Sequence, residues 1–255
     1  MTSTSSGSGP TVALVHGAFA DSSGWNGVIA GLTAAGVRAQ AVSNPLRGIA
    51  SDAAYVASAI AQIPGPVIAV GPSYGGAIIT NAALPAGNVV GLVYVAAFAP
   101  DEGETLGGIE QGSTDSVLNS ALLELKYPTG TDGETAVEFA IDPAKFHEAF
   151  AADVPPADSA LMAATQRPVS AFGFTEPNGA PAWRTLPSWA VIPTGDKAAG
   201  SDVLRQMAQR AGMTITEVEG SHVAFVTKPQ PVVDAILDAI RTVSESASSP
   251  AAASV

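Results

Sequence analysis

The stretch Val67-Ile68-Ala69-Val70-Gly71-Pro72-Ser73-Tyr74-Gly75-Gly76 joins an apolar β-branched run to a glycine-rich turn, and a helix-forming segment follows to about Leu84. A continuous apolar run of this length reads as a strand buried on both faces. Gly71-Pro72-Ser73-Tyr74-Gly75 has the form G-x-S-x-G. The spacing alone is weak, but its place directly after a strand and before a helix gives it meaning. Ser73 then occupies a tight, strained turn whose crowding admits only glycine at 71 and 75. Its hydroxyl stands at a helix N-terminus, where the dipole and free N–H groups favour developing negative charge.

Working outward, the same alternation recurs. Thr11–Val15, Val37–Val42, Val89–Val95, Ser188–Ile192 and Met213–Val218 read as strands. Trp25–Ala35, Ala53–Ile63, Ser201–Ala211 and Pro231–Val243 read as helices. Apolar strands alternating with helices imply an α/β fold with a mostly parallel sheet covered on both faces. The pattern lapses from 101 to 186 and then resumes, which divides the chain into a core of residues 10–100 and 187–243 and an insertion at 101–186. The insertion holds 14 acidic and 4 basic residues and five of the eight phenylalanines, Phe139, Phe146, Phe150, Phe172 and Phe174. Such a segment reads as a cap over a pocket. Residues 1–9 and 244–255 are Ser/Ala/Gly-rich and read as mobile tails.

Composition narrows the function. The 255 residues carry 11 Lys+Arg against 23 Asp+Glu, a net charge of −12. That balance argues against a nucleic-acid partner, which needs clustered cations, and against an anionic membrane surface. There is no cysteine, so thiolate catalysis and Cys-ligated metals are excluded, and no metal site is expected. The uncharged stretch between Asp52 and Asp101 is cut by proline and glycine into pieces shorter than the ~20 residues a membrane span needs. No signal peptide is visible in Met1–Pro10, so the chain reads as cytoplasmic.

A serine hydroxyl needs a base, and the chain has three histidines: His16, His147 and His222. His222 follows the last strand and precedes the last helix, which returns it to the sheet edge where Ser73 stands. His16 reads as a structural residue that starts the loop after the first strand, and His147 as a solvated insertion residue that could line the pocket. An acid must orient the base. Asp196, in Pro193-Thr194-Gly195-Asp196 after the penultimate strand, is the first choice, with Asp202 and Asp101 as alternatives. Backbone N–H groups of Ala18 and Tyr74 are the candidate oxyanion donors, each worth about 3–4 kcal/mol of transition-state stabilisation. Phe19, Phe146, His147, Phe150 and Val223 are candidate pocket residues.

His16-Gly17-Ala18, Gly71-Pro72-Ser73-Tyr74-Gly75-Gly76, Gly195-Asp196 and Ser221-His222, taken together, resemble the α/β-hydrolase superfamily across the whole chain between the tails. The similarity is greatest to its small-molecule carboxylesterases, the methyl-salicylate-type and pyrethroid-type enzymes, with hydroxynitrile lyases as relatives. The resemblance implies an α/β-hydrolase fold with a cap insertion, and a serine esterase working through an acyl-enzyme. It implies no cofactor; the acidic excess of the insertion disfavours anionic substrates and its phenylalanines favour apolar ones, so a small neutral ester is the expected substrate. Pro72 stands where these enzymes commonly have His. Gly17 and Val223 replace the Thr and Lys expected of a hydroxynitrile lyase, which disfavours cyanohydrin cleavage. Cofactor-free perhydrolases tend to carry a proline in the oxyanion loop, and His16–Asp21 has none. Amide or lactone hydrolysis, acyl transfer, a lyase reaction and a non-catalytic receptor remain alternatives on the same site, and a monomer or homodimer fits equally.

Overall fold

The computed structural model describes residues 9–248. Its strands are β1 (Thr11–Val15), β2 (Ala39–Val42), β3 (Val67–Pro72), β4 (Val89–Val95), β5 (Leu122–Pro128), β6 (Thr135–Ile141), β7 (Val169–Ser170), β8 (Ser188–Pro193) and β9 (Thr214–Val218). Six of them form one sheet in the order β2-β1-β3-β4-β8-β9, with every neighbouring pair parallel. Successive side chains of a strand point to opposite faces, and every residue of β1 and β3 is buried, so both faces are covered. Helix Ile49–Ala61 packs on helix Tyr74–Ala86, and helix Asn26–Ala34 on helix Gln230–Ser248. No helix among the described residues is long and apolar enough to cross a membrane.

Residues 101–186 break the parallel pattern. β5 and β6 pair antiparallel from Leu122 opposite Ile141 to Pro128 opposite Thr135, and β7 adds to β6. Helices Pro143–Phe150 and Pro156–Thr165 pack together beside this small sheet. Side chains tie the segment to the parallel core. Arg47 Nη1 meets Glu138 at 2.6 Å, and Asp202 accepts from Ser113 Oγ (2.6 Å) and from Thr114 N (2.8 Å) and Oγ1 (3.1 Å).

Some boundaries differ from the sequence reading. The last helix runs to Ser248, so residues 244–248 are not a tail. The hydroxyls of Ser244, Ser246 and Ser248 each bond a carbonyl four residues back, so these polar side chains find their partners within the helix. The remainder of the expected tails, 1–8 and 249–255, lies outside the described residues. The second helix starts at Ile49 rather than Ala53, because the Asp52 carboxylate folds back to accept from the Arg47 and Gly48 N–H groups.

Candidate active site

Ser73 links β3 to helix Tyr74–Ala86 with φ 51° and ψ −125°, in the left-handed half of conformational space. A non-glycine residue there costs about 1–3 kcal/mol and must be held by its surroundings. Here the Ser73 N–H donates to the Val95 and Ala96 carbonyls at 3.3 and 3.1 Å. Its own carbonyl accepts from Gly76 N (2.9 Å) and Phe98 N (3.2 Å). Crowding explains the glycines: a Cβ on Gly71 would lie 2.4 Å from the Gly75 carbonyl oxygen, and one on Gly17 would lie 2.8 Å from that of Pro72. Ser73 is half-buried while its neighbours on both sides are buried, so its hydroxyl is the part of the turn that meets open space.

His222 follows β9 and is 2% exposed; Asp196 follows β8 and is 1% exposed. Their side chains meet through His222 Nδ1 and Asp196 Oδ2 at 2.6 Å. The other carboxylate oxygen accepts from the Ala198 and Ala199 N–H groups at 2.9 and 3.0 Å, so this buried charge has three donors. A carboxylate only accepts, so Nδ1 carries a ring proton, and in the neutral imidazole Nε2 is then the acceptor. Phe150 from the insertion packs on the imidazole, with ring centroids 4.9 Å apart. Asp153, also from the insertion, accepts from the hydroxyls of Ser221 and Thr227, bracketing the histidine. The alternative acids are occupied elsewhere. Asp202 binds the insertion as described, and Asp101 pairs with Arg184 at 2.5 Å.

His16 is buried and donates from Nδ1 to the Gly17 carbonyl at 2.9 Å, as expected of a residue that starts this loop. Its Nε2 accepts from Asn44 N at 3.1 Å and lies 3.1 Å from Arg167 Nη1. Burial is the main force holding its pKa below the ordinary value, and the Arg167 charge adds to it. The Phe19 N–H donates to the Arg167 carbonyl at 3.2 Å, so the insertion also fixes the loop beside Ala18. Under the turn, the Tyr74 hydroxyl donates to buried Asp52 at 2.9 Å. Burial, then the Asp52 charge, push this phenol well above the ordinary tyrosine range.

Ser73, His222, Ala18, Tyr74, Phe19 and Phe150 line one small cavity of about 10 Å³, room for roughly one water molecule. Ser73 and His222 share it without a direct hydrogen bond. Three expected pocket residues do not line this small cavity. Phe146 sits behind Phe150, with centroids 5.0 Å apart and no exposure. His147 is half-buried on the same helix, away from Ser73. Val223 faces a different cavity from its neighbour His222. Phe98, Leu118, Phe174, Ala198 and Ala199 complete the lining and were not anticipated. Phe98 had a signal, since it lies just past the carboxyl end of a central parallel strand, where ligands bind in such sheets. Leu118 and Phe174 had none, being placed by the path of the insertion.

The sequence profile of the Alpha/beta hydrolase family matches residues 12–235. No curated protein matches the sequence. Among solved structures, polyneuridine aldehyde esterase is similar at 19% identity over 90% of this chain and 98% of its own, with a TM-score of 0.76. The methylesterase MES16 from Arabidopsis is similar at 19% identity over 91% and 99%, with a TM-score of 0.74. The pyrethroid hydrolase PytH is similar at 22% identity over 91% and 98%, with a TM-score of 0.69. At these identities the likeness is one of fold.

Proposed function

The chain belongs to the alpha/beta hydrolase family, and on that premise we propose that it is a serine esterase cleaving small neutral carboxylic esters. Ser73 is the nucleophile, His222 the general base and Asp196 its orienting acid. The observation that carries this reading is the His222–Asp196 pair beside a cavity that His222 and Ser73 both line. Nε2 takes the Ser73 proton as Oγ attacks the ester carbonyl, and the N–H groups of Ala18 and Tyr74 receive the oxyanion. The C–O bond to the alcohol breaks as His222 returns the proton to the leaving oxygen. Water, deprotonated by His222, then attacks the acyl-enzyme and releases the acid and free Ser73. Residues 101–186 act as a cap over this cavity, with Phe150 and Phe174 in its wall. Their acidic excess, 14 against 4, repels anionic substrates, and their phenylalanines favour apolar ones.

The test is hydrolysis of p-nitrophenyl esters from acetate to octanoate by the wild type beside Ser73→Ala. Turnover by the wild type and a drop of roughly 10³-fold or more in the variant is expected. Turnover surviving in Ser73→Ala would overturn the assignment. A folded wild type that binds a neutral ligand without turning over any ester would favour a receptor.

A further inference from the structure

A second cavity lies on the other side of the loop that follows β1. It is far larger than the one over Ser73, about 120 Å³ against about 10 Å³. Its inner wall is apolar, built from Trp25, Phe225, Val223 and Val226, with Met162 from the insertion. At its mouth Ser23 and Thr165 are exposed and Asp21 is half-buried. Phe19 lines both cavities. Its ring is 3% exposed and stands edge-on to Phe150 at 6.2 Å, so it forms the partition between the two spaces. Its backbone has φ 57°, which a bulky residue rarely adopts, and Arg167 holds it there through the Phe19 N–H. Trp25, whose indole N–H is buried without an acceptor, is among the lining residues of the larger space.

We propose that this second cavity is a chamber for an apolar arm of the ester substrate, and that Phe19 sets how long an arm is accepted. The inference rests on the esterase reading and extends it. The space beside Ser73 holds about one water, so an arm of several carbons needs other room. The chamber is the apolar space that shares the Phe19 side chain with the site, the one residue lining both. Asp21 at the mouth repels carboxylates. Shortening the Phe19 side chain joins the two spaces.

The experiment compares kcat/KM for p-nitrophenyl octanoate and acetate within each protein. Phe19→Ala raises the octanoate-to-acetate ratio at least ten-fold, and adding Met162→Trp, which fills the chamber, returns it towards the wild-type value. An unchanged ratio in folded Phe19→Ala overturns the proposal, as does a gain that Met162→Trp leaves intact. Phe19→Gly is the companion variant should the alanine protein fail to fold, since glycine adopts φ 57° without strain. Binding separates this proposal from the esterase reading. In the Ser73→Ala background, Phe19→Ala tightens methyl octanoate binding at least ten-fold, read by tryptophan fluorescence and calorimetry. Tightening in a protein whose wild type turns over no ester upholds the chamber and overturns only the esterase assignment. Turnover without tightening overturns the chamber.

Discussion

Every residue of β3 is buried and its neighbours in the sheet run parallel to it, whereas β5 in the insertion is mostly exposed and pairs antiparallel. The two regions also differ in how their functional groups are held. Ser73 and Asp196 are fixed by backbone N–H and carbonyl groups of the parallel sheet and its loops. The insertion reaches the site mostly through side chains, Phe150 on His222, Asp153 on Ser221 and Arg167 on His16, with one backbone bond from the Phe19 N–H to the Arg167 carbonyl. The proposed reacting groups are thus held by the part of the molecule with least freedom, and the cavity wall is completed by the part with more. Single side-chain contacts of the insertion are open to change, whereas the backbone frame is not.

The largest test of this contrast is Asp196→Asn. The amide cannot hold His222 in the same tautomer, so kcat falls about 10⁴-fold with little change in KM. A loss under ten-fold, measured with the best p-nitrophenyl ester, would show that the buried frame does not carry the chemistry. Next in size is Asp52→Ala, which strips the Tyr74 hydroxyl and two backbone N–H groups of their acceptor. Urea unfolding should show a loss of about 3 kcal/mol.

A smaller effect depends on pH. His16 is depressed in the folded state, so the unfolded chain takes up its proton first on acidification. Its contribution to stability is full above the unfolded value of about 6.5 and is lost as pH falls through the folded value. Thermal melts from pH 7.5 to 5 should therefore fall more steeply for the wild type than for His16→Gln; equal slopes would remove His16 as the cause. The smallest effect is expected of Arg47→Ala. The Arg47–Glu138 pair is partly solvated, with the Arg47 side chain 42% exposed, and its loss should cost under about 1 kcal/mol. A cost several times larger would mean that the insertion is clamped as firmly as the frame.

The same contrast explains what could be read from the chain. Buried parallel strands are continuous apolar runs, so β1, β3, β4 and β8 were legible, and the crowding at Gly71 and Gly75 wrote the turn into the sequence. Asp196 and His222 were legible because they follow strands whose ends share one edge of the sheet. The wall of the cavity was not. Phe146 and Phe150 sit four apart on one helix face, and nothing local says that only Phe150 reaches the site while Phe146 backs it. Val223 adjoins His222 in sequence yet faces another space, a choice made by the short helix Ala224–Thr227 that begins just after it. Asp153 carried no signal, because its value comes from two hydroxyls about seventy residues away.

That aspartate bears on how this architecture diversifies. Because Asp153 grips the chain on both sides of His222, the insertion is not an interchangeable module. Transplanting a foreign insertion onto this sheet would exchange the substrate wall and, in the same stroke, release the loop that carries the imidazole. A lineage or an engineer seeking a new specificity must therefore carry an acceptor to the place of Asp153, or rebuild the support of that loop from within the parallel sheet.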